Sequence, residues 1–323
     1  MSFIDELKAF GPDSTRSLSL AEAERYCAEL AATHYENFSV VSILTPRELK
    51  RSFASVYAFC RWSDDLGDEI GDPARSLELL AWWRDELRAM YAGAPKHPVM
   101  IALAETVRTY RIPIDPFEDL IAAFEQDQTV HEYETIDQLL DYCTRSADPV
   151  GRLVLYMGGV FNEENARLSD LTCSALQLAN FWQDVARDLA IGRIYLPRED
   201  RVRFGVSEGD LKALKFTPAF AELLAFEVDR ARSMLVHGRE LLPRLKGRFR
   251  LAVDLFNRGG SAILDAIERS GFDVLTERPR LSKLDKVQLI IKAITGIEPR
   301  TIPRVLSGGD RTPVASARSG DRA

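Results

Sequence analysis

The chain has 323 residues, 46% of them hydrophobic, and a formal net charge of −7: enough apolar content for a sizeable core, and the wrong sign for a nucleic-acid partner. Its four cysteines, Cys27, Cys60, Cys143 and Cys173, are dispersed without CxxC spacing, which reads as reduced thiols in a cytoplasmic protein. The start MSFIDELKAFGPDS has neither the basic stretch nor the apolar run of a signal peptide, and no apolar run approaches the ~18 residues of a membrane span, so any membrane contact is expected to be peripheral, at the inner membrane.

After a short leader, Ser19 caps a helix expected through His34, and Thr45-Pro46-Arg47-Glu48 is a capping box with proline at the first helical position. That box opens a helix running into Phe53–Ile70. Helical patterns follow over Pro73–Tyr91, Pro98–Tyr110, Phe117–Gln128 and Ile136–Arg145, then a glycine-containing apolar segment near Gly151–Gly159, and a long pattern over Glu163–Ala190. Gly192-Arg193-Ile194-Tyr195-Leu196-Pro197 is too short and too abruptly stopped by proline for a helix, and reads as a loop returning over the preceding helix. Thr217–Leu242, Arg248–Glu268 and Ser282–Thr295 complete the helices. No strand pattern or repeat stands out, so one all-α domain is expected over 1–298. Residues 299–323, rich in Pro, Gly and Ser and basic, read as a disordered tail or a weak adhesive for anionic lipid.

Two of these helices carry an acidic face. At 100° per residue, Tyr57, Arg61, Asp64 and Asp68 fall within an arc of about 80° with Phe53, opposite Val56, Phe59, Trp62, Leu66 and Ile70. In the long helix Gln177, Asn180, Asp184 and Asp188 fall within a similar arc of about 80°, with Phe181, Trp182, Val185 and Leu189 to the side and back. A solvated helix has the same half-polar look. The first stripe, however, is acidic at one end and aromatic at the other, which suits a cavity with a charged mouth and an apolar depth. Carboxylates about 6 Å apart repel by roughly 3 kcal/mol per pair at an effective dielectric near 20, so enclosed faces of this kind call for a cation. Oxygen donors without His or Cys select a hard ion such as Mg²⁺, which is commonly shared with substrate phosphates. The chemistry implied is departure of diphosphate from a lipid-like chain.

The paired stretches Tyr57-Ala-Phe-Cys-Arg61-Trp-Ser-Asp64-Asp65-Leu-Gly-Asp68-Glu69 and Asn180-Phe-Trp-Gln-Asp184-Val-Ala-Arg-Asp188 resemble those of the squalene/phytoene synthase family, over roughly His34 to Lys286. The resemblance implies a single large helical bundle around a central cavity, of the class I isoprenoid synthase type. It implies Mg²⁺ held by Asp64 and Asp68 on one wall and by Asn180, Asp184 and Asp188 on the other. Arg61 and Arg193 would meet the diphosphate, His34 and Phe38 match the entry segment, and Tyr57, Tyr142, Gln177 and Tyr195 match pocket positions; a tyrosine there can stabilise a cation or relay a proton. Tyr142-Cys-Thr-Arg-Ser146-Ala147-Asp148-Pro149, Phe256-Asn257-Arg258-Gly259-Gly260 and the Gly192–Asp200 run look most like the bacterial hydroxysqualene synthases of hopanoid biosynthesis, which quench a cation with water. Asp148 is the candidate for placing that water. Gln183 stands where relatives often carry arginine, so its role is open, and Asp127 reads equally well as closing the site or as a solvated helix end. The likeness implies a prenyl diphosphate substrate, a peripheral membrane and other squalene-pathway enzymes as partners. Competing readings are head-to-head condensation of farnesyl or geranylgeranyl diphosphate and, from another class, a non-catalytic assembly factor, which would carry eroded acidic motifs.

Overall fold

A computed structural model describes residues 2–33, 49–282, 285, 288 and 289. The entry segment with His34 and Phe38, the capping box at 45–48, most of Ser282–Thr295 and the tail lie outside the described residues. Thirteen α-helices are seen among those described: α1 Phe3–Phe10, α2 Leu20–Thr33, α3 Lys50–Asp68, α4 Pro73–Tyr91, α5 Pro98–Tyr110, α6 Asp115–Gln126, α7 Ile136–Ser146, α8 Asp148–Met157, α9 Glu163–Ala190, α10 Arg198–Arg203, α11 Glu208–Lys212, α12 Pro218–Gly238 and α13 Gly247–Arg269. A 3₁₀ turn, Arg239–Arg244, joins the last two. The fold is all-α; among the described residues the sole β feature is an isolated parallel bridge between Glu132 and Ile194.

Local chemistry sets the helix ends. Ser19 and Glu22 form a capping box before α2, and Asp72 Oδ1 accepts the amides of Ala74 and Arg75 at 2.9 and 3.3 Å ahead of Pro73. Asn162 and Thr217 cap α9 and α12 in the same way. Where the sequence reading fell short, the causes are also local. The leader holds α1, capped by Ser2 and Asp5. The apolar glycine-containing segment is α8, started by Pro149. The pattern read to Leu242 leaves α-geometry at Gly238, because Pro243 lacks the amide that an α-turn needs. The chain after Pro197 forms two short helices, α10 and α11, too short to show a period.

The buried side chains divide into two main clusters. One gathers α1 to α6 with the inner face of α8, around Phe59, Trp62, Trp83 and Phe117. Trp62 and Trp83 stack with ring centroids 5.5 Å apart, and Trp83 Nε1 donates to Ser63 Oγ at 3.0 Å. His97 sits among these rings, edge-on to Trp62 at 4.4 Å and Trp83 at 4.7 Å, 3% exposed. The other cluster gathers α7, α9, α12 and α13. Here α9 is central: a Cβ added at Gly151 of α8 would strike Ser169 and Cys173, and one at Gly238 would strike Thr172 and come within 3.1 Å of its backbone nitrogen. Each acidic helix thus belongs to a different half, and the two share no extensive packing with one another.

Candidate active site

On α3 the face drawn from periodicity is the accessible one. Phe53, Tyr57, Arg61 and Asp64 are half-buried and Asp68 is exposed, while Val56, Phe59, Trp62 and Leu66 are buried. On α9, Gln177, Asp184 and Asp188 are half-buried and Asn180 is exposed, while Phe181, Trp182 and Val185 are buried. Cys60 and Cys173, one on each helix, are half-buried, and burial pushes both thiols up to about 12.

The Gly192–Pro197 loop joins the two halves. Its outer side runs along residues 131–134: the amides of Ile194, Arg198 and Glu199 donate to the carbonyls of His131, Tyr133 and Glu134 at 2.7, 2.9 and 2.9 Å. Its inner side delivers Arg193, whose Nη2 donates to Asp68 Oδ1 of α3 at 3.1 Å across 125 positions of sequence. Arg193 is also within electrostatic reach of Asp64 and Asp127 and of Asp188 on α9. One guanidinium therefore stands between both acidic faces. Tyr195 stacks on Phe181 at 3.7 Å and lies against Tyr133 and Tyr142, with centroids 6.0 and 6.3 Å away.

The remaining acids are paired by other arginines. Arg61 donates to Asp64 Oδ2 and Asp65 Oδ2, both at 3.0 Å. Arg278, from the segment after α13, grips both oxygens of Asp184, and its Nη2 donates to Gln183 Oε1 at 2.9 Å. Gln183 returns a hydrogen bond to the carbonyl of Pro279, so the segment is strapped over the second motif. Burial, with neighbouring carboxylates adding to it, pushes Asp64 up to about 6 and Asp188 up to about 7 against the pull of the arginines. Among the described residues no three His, Cys, Asp or Glu side chains already converge on one ion position. The donor set is nevertheless all oxygen and crowded enough with negative charge to fit a hard divalent cation, once the arginines exchange partners.

Two buried carboxylates differ in their relation to this group. Asp127, 7% exposed, accepts from the Tyr142 hydroxyl at 3.0 Å and leaves Oδ1 without a partner; burial pushes it up to about 6, partly offset by Arg193. It is buried beside Tyr142 and within electrostatic reach of Arg193, not a solvated helix end. Asp148 accepts from Ser174 Oγ at 2.7 Å, and its other charged and thiol neighbours are Asp170, Arg152, Cys143 and Cys173; no contact brings it to the acidic faces. Sequence reasoning missed Arg278 and left Gln183 open, because the partners of both lie more than 90 positions away in the chain.

An all-α bundle that sets two acid-bearing helices either side of an arginine-carrying loop is an isoprenoid synthase-like fold. The chain belongs to the squalene/phytoene synthase family, whose model matches residues 31–285, a family of enzymes that process prenyl diphosphates. The crystal structure of squalene synthase HpnC from Alicyclobacillus acidocaldarius is similar at 47% identity and a TM-score of 0.75, covering 78% of this chain and 95% of that one. A dehydrosqualene synthase solved with a ligand shares the fold at 24% identity and a TM-score of 0.77, covering 86% and 97%. The phytoene synthase of Thermus thermophilus is 34% identical over 261 residues, 80% of this chain and 88% of the relative.

Proposed function

We propose that the chain ionises presqualene diphosphate in a Mg²⁺-dependent reaction and captures the cation with water, giving hydroxysqualene and diphosphate. The observation that carries this reading is Arg193, which donates to Asp68 while standing in reach of Asp188. A guanidinium between two carboxylate faces is where a diphosphate, brought in with its counter-ions, would settle. Mg²⁺ would be held by Asp64 and Asp68 on α3 and by Asn180, Asp184 and Asp188 on α9. The chemistry supplied there by the bound ion is neutralisation of charge on the departing diphosphate.

The chain's own residues do the rest. Arg61 and Arg193 exchange carboxylate partners for phosphate oxygens as the substrate binds, and Gln177 holds the substrate beside α9. Tyr57, Tyr142 and Tyr195 are assigned to the carbocation, which an aromatic face steadies by roughly 0.5–2 kcal/mol. The carbon–oxygen bond to diphosphate breaks, water adds to the rearranged cation, and one proton is lost. Asp148 is the proposed placer of that water, although Asp127 has the unpartnered oxygen. His34 and Phe38 are assigned to substrate entry.

A second reading is head-to-head condensation of two farnesyl diphosphates; the similar HpnC protein is described as a squalene synthase, which favours this over a phytoene-type reaction. The assembly-factor reading expects eroded motifs, and both are intact here. Incubation with presqualene or farnesyl diphosphate, Mg²⁺ and no NADPH separates the enzymatic readings. An alcohol from presqualene diphosphate supports the first, presqualene diphosphate formed from farnesyl diphosphate supports the second, and failure to release diphosphate from either substrate removes both.

A further inference from the structure

Away from the acidic faces, α12 buries a carboxyl that the proposed reaction does not use. Glu227 is 0% exposed, and Arg230, one turn later, donates through Nη1 to Glu227 Oε2 at 2.6 Å and to Asp200 Oδ2 at 3.0 Å. Asp200 belongs to α10 and is 4% exposed. Its neighbour Arg201 donates through Nε to the Leu196 carbonyl at 3.1 Å and pairs with Glu132, so it grips the loop from behind. Contacts therefore run from α12 through Asp200 and Arg201 to Leu196, three residues after Arg193 in the same loop.

We propose that Glu227, Arg230 and Asp200 form a positioning latch that ties the loop carrying Arg193 and Tyr195 to α12 through one shared, buried proton. The proposal rests on the reading of Arg193 as a diphosphate contact. Two buried carboxylates face one guanidinium, and an uncompensated buried charge is costly, so one carboxyl keeps its proton. Glu227 is the deeper of the two, and its Oε1 has no hydrogen-bond partner. Burial first, then Asp200, pushes Glu227 up to about 8, with Arg230 opposing. The other charges nearby are occupied: Arg203 lies over Phe226 with Arg230 on the same ring, both 4.7 Å from its centroid, and Arg232 pairs with Asp265 and Glu268 of α13. Arg167 of α9 shares a surface groove with Arg230.

The unfolded chain gives up this proton near 4.5, the folded chain near 8. What the proton contributes is complete below 4.5 and is lost as the pH rises through 8. Above that, two negative carboxylates share one arginine, and α10 with its loop loosens.

The test is amide hydrogen exchange on the full chain between pH 7 and 9, read as protection factors of the Ile194, Arg198 and Glu199 amides. The latch predicts that wild-type protection falls by at least about tenfold over that range. In Glu227→Gln, which keeps a neutral hydrogen-bonding group, and in Asp200→Asn, which leaves one carboxylate per arginine, it should change by less than about twofold. The second variant carries the comparison should the first not fold. A flat wild-type profile overturns the latch whatever the variants do, and so does a folded variant that loses protection as the wild type does. In parallel, the KM for presqualene diphosphate should rise about tenfold toward pH 9 in the wild type and stay level in Glu227→Gln. If the wild type releases no diphosphate from any prenyl diphosphate, the functional reading fails, and the exchange profile still decides the latch.

Discussion

The half built around α3 and the half built around α9 each bury an ionisable side chain in its uncharged form, but with opposite consequences. In the first, His97 is packed among tryptophans, and burial pulls it down to about 3. In the second, Glu227 is pushed up to about 8. The halves differ again in how they balance their acids. Arg61 serves Asp64 and Asp65 from three and four residues away on the same helix. Asp184 is served by Arg278 from 94 positions further along the chain. The first motif thus balances Asp64 and Asp65 as soon as its helix forms and Asp68 when the Arg193 loop arrives. In the second, Arg187 reaches Asp184 locally at 3.6 Å, and the two-oxygen grip waits for the C-terminal segment to fold back. An acidic face in a sequence can therefore belong to either a local or a long-range design.

The widest consequence of that difference should appear at Asp184. Asp184→Ala removes a proposed ligand and strands Arg278, and diphosphate release should fall on the order of a thousandfold. Release at the wild-type rate would show that the second motif has no part in the chemistry. Arg193→Ala should lower kcat/KM by about a hundredfold, since its guanidinium bonds Asp68 and stands in reach of Asp188; a loss no larger than that of an exposed arginine such as Arg75 would sink the bridging role. Gly238→Ala probes the closeness of α12 to α9 and should destabilise by about 1–3 kcal/mol in chemical denaturation, because its Cβ would meet the backbone of α9. A variant as stable as the wild type would mean that the helices part at no cost.

The smallest effect contrasts the halves by pH. His97 stays neutral when folded and takes up a proton near 6.5 when unfolded, so its contribution is present above 6.5 and is lost as the pH falls toward 3. His97→Asn keeps a side chain able to accept the Val99 amide, and should narrow the drop in Tm between pH 7 and 4 by about a few degrees. An unchanged drop would place the acid sensitivity elsewhere.

Much of this was legible in the sequence wherever one helix decides the outcome. The faces of α3 and α9 follow from a 3.6-residue period, and every residue that period selects is half-buried or exposed, although Ile70 and Leu189, read as back-face positions, are half-buried as well. Pro73, Pro98 and the caps at Ser19 and Thr217 mark their helix starts. What stayed hidden depends on distant partners. Nothing near Arg278 indicates that it lies on Asp184, and a turn of Glu125-Gln126-Asp127 looks solvated until Tyr142 is seen above it. Asp148 drew notice for its place in sequence, yet its partner is Ser174, one turn from the pocket positions on α9.

The close seating of Gly151 and Gly238 against α9 has a mechanical consequence. A long rod seated against two glycines, one meeting the side chains of Ser169 and Cys173 and the other the backbone at Leu168 and Thr172, can neither spin nor slip lengthwise without collision. Asn180, Asp184 and Asp188 therefore hold a constant azimuth.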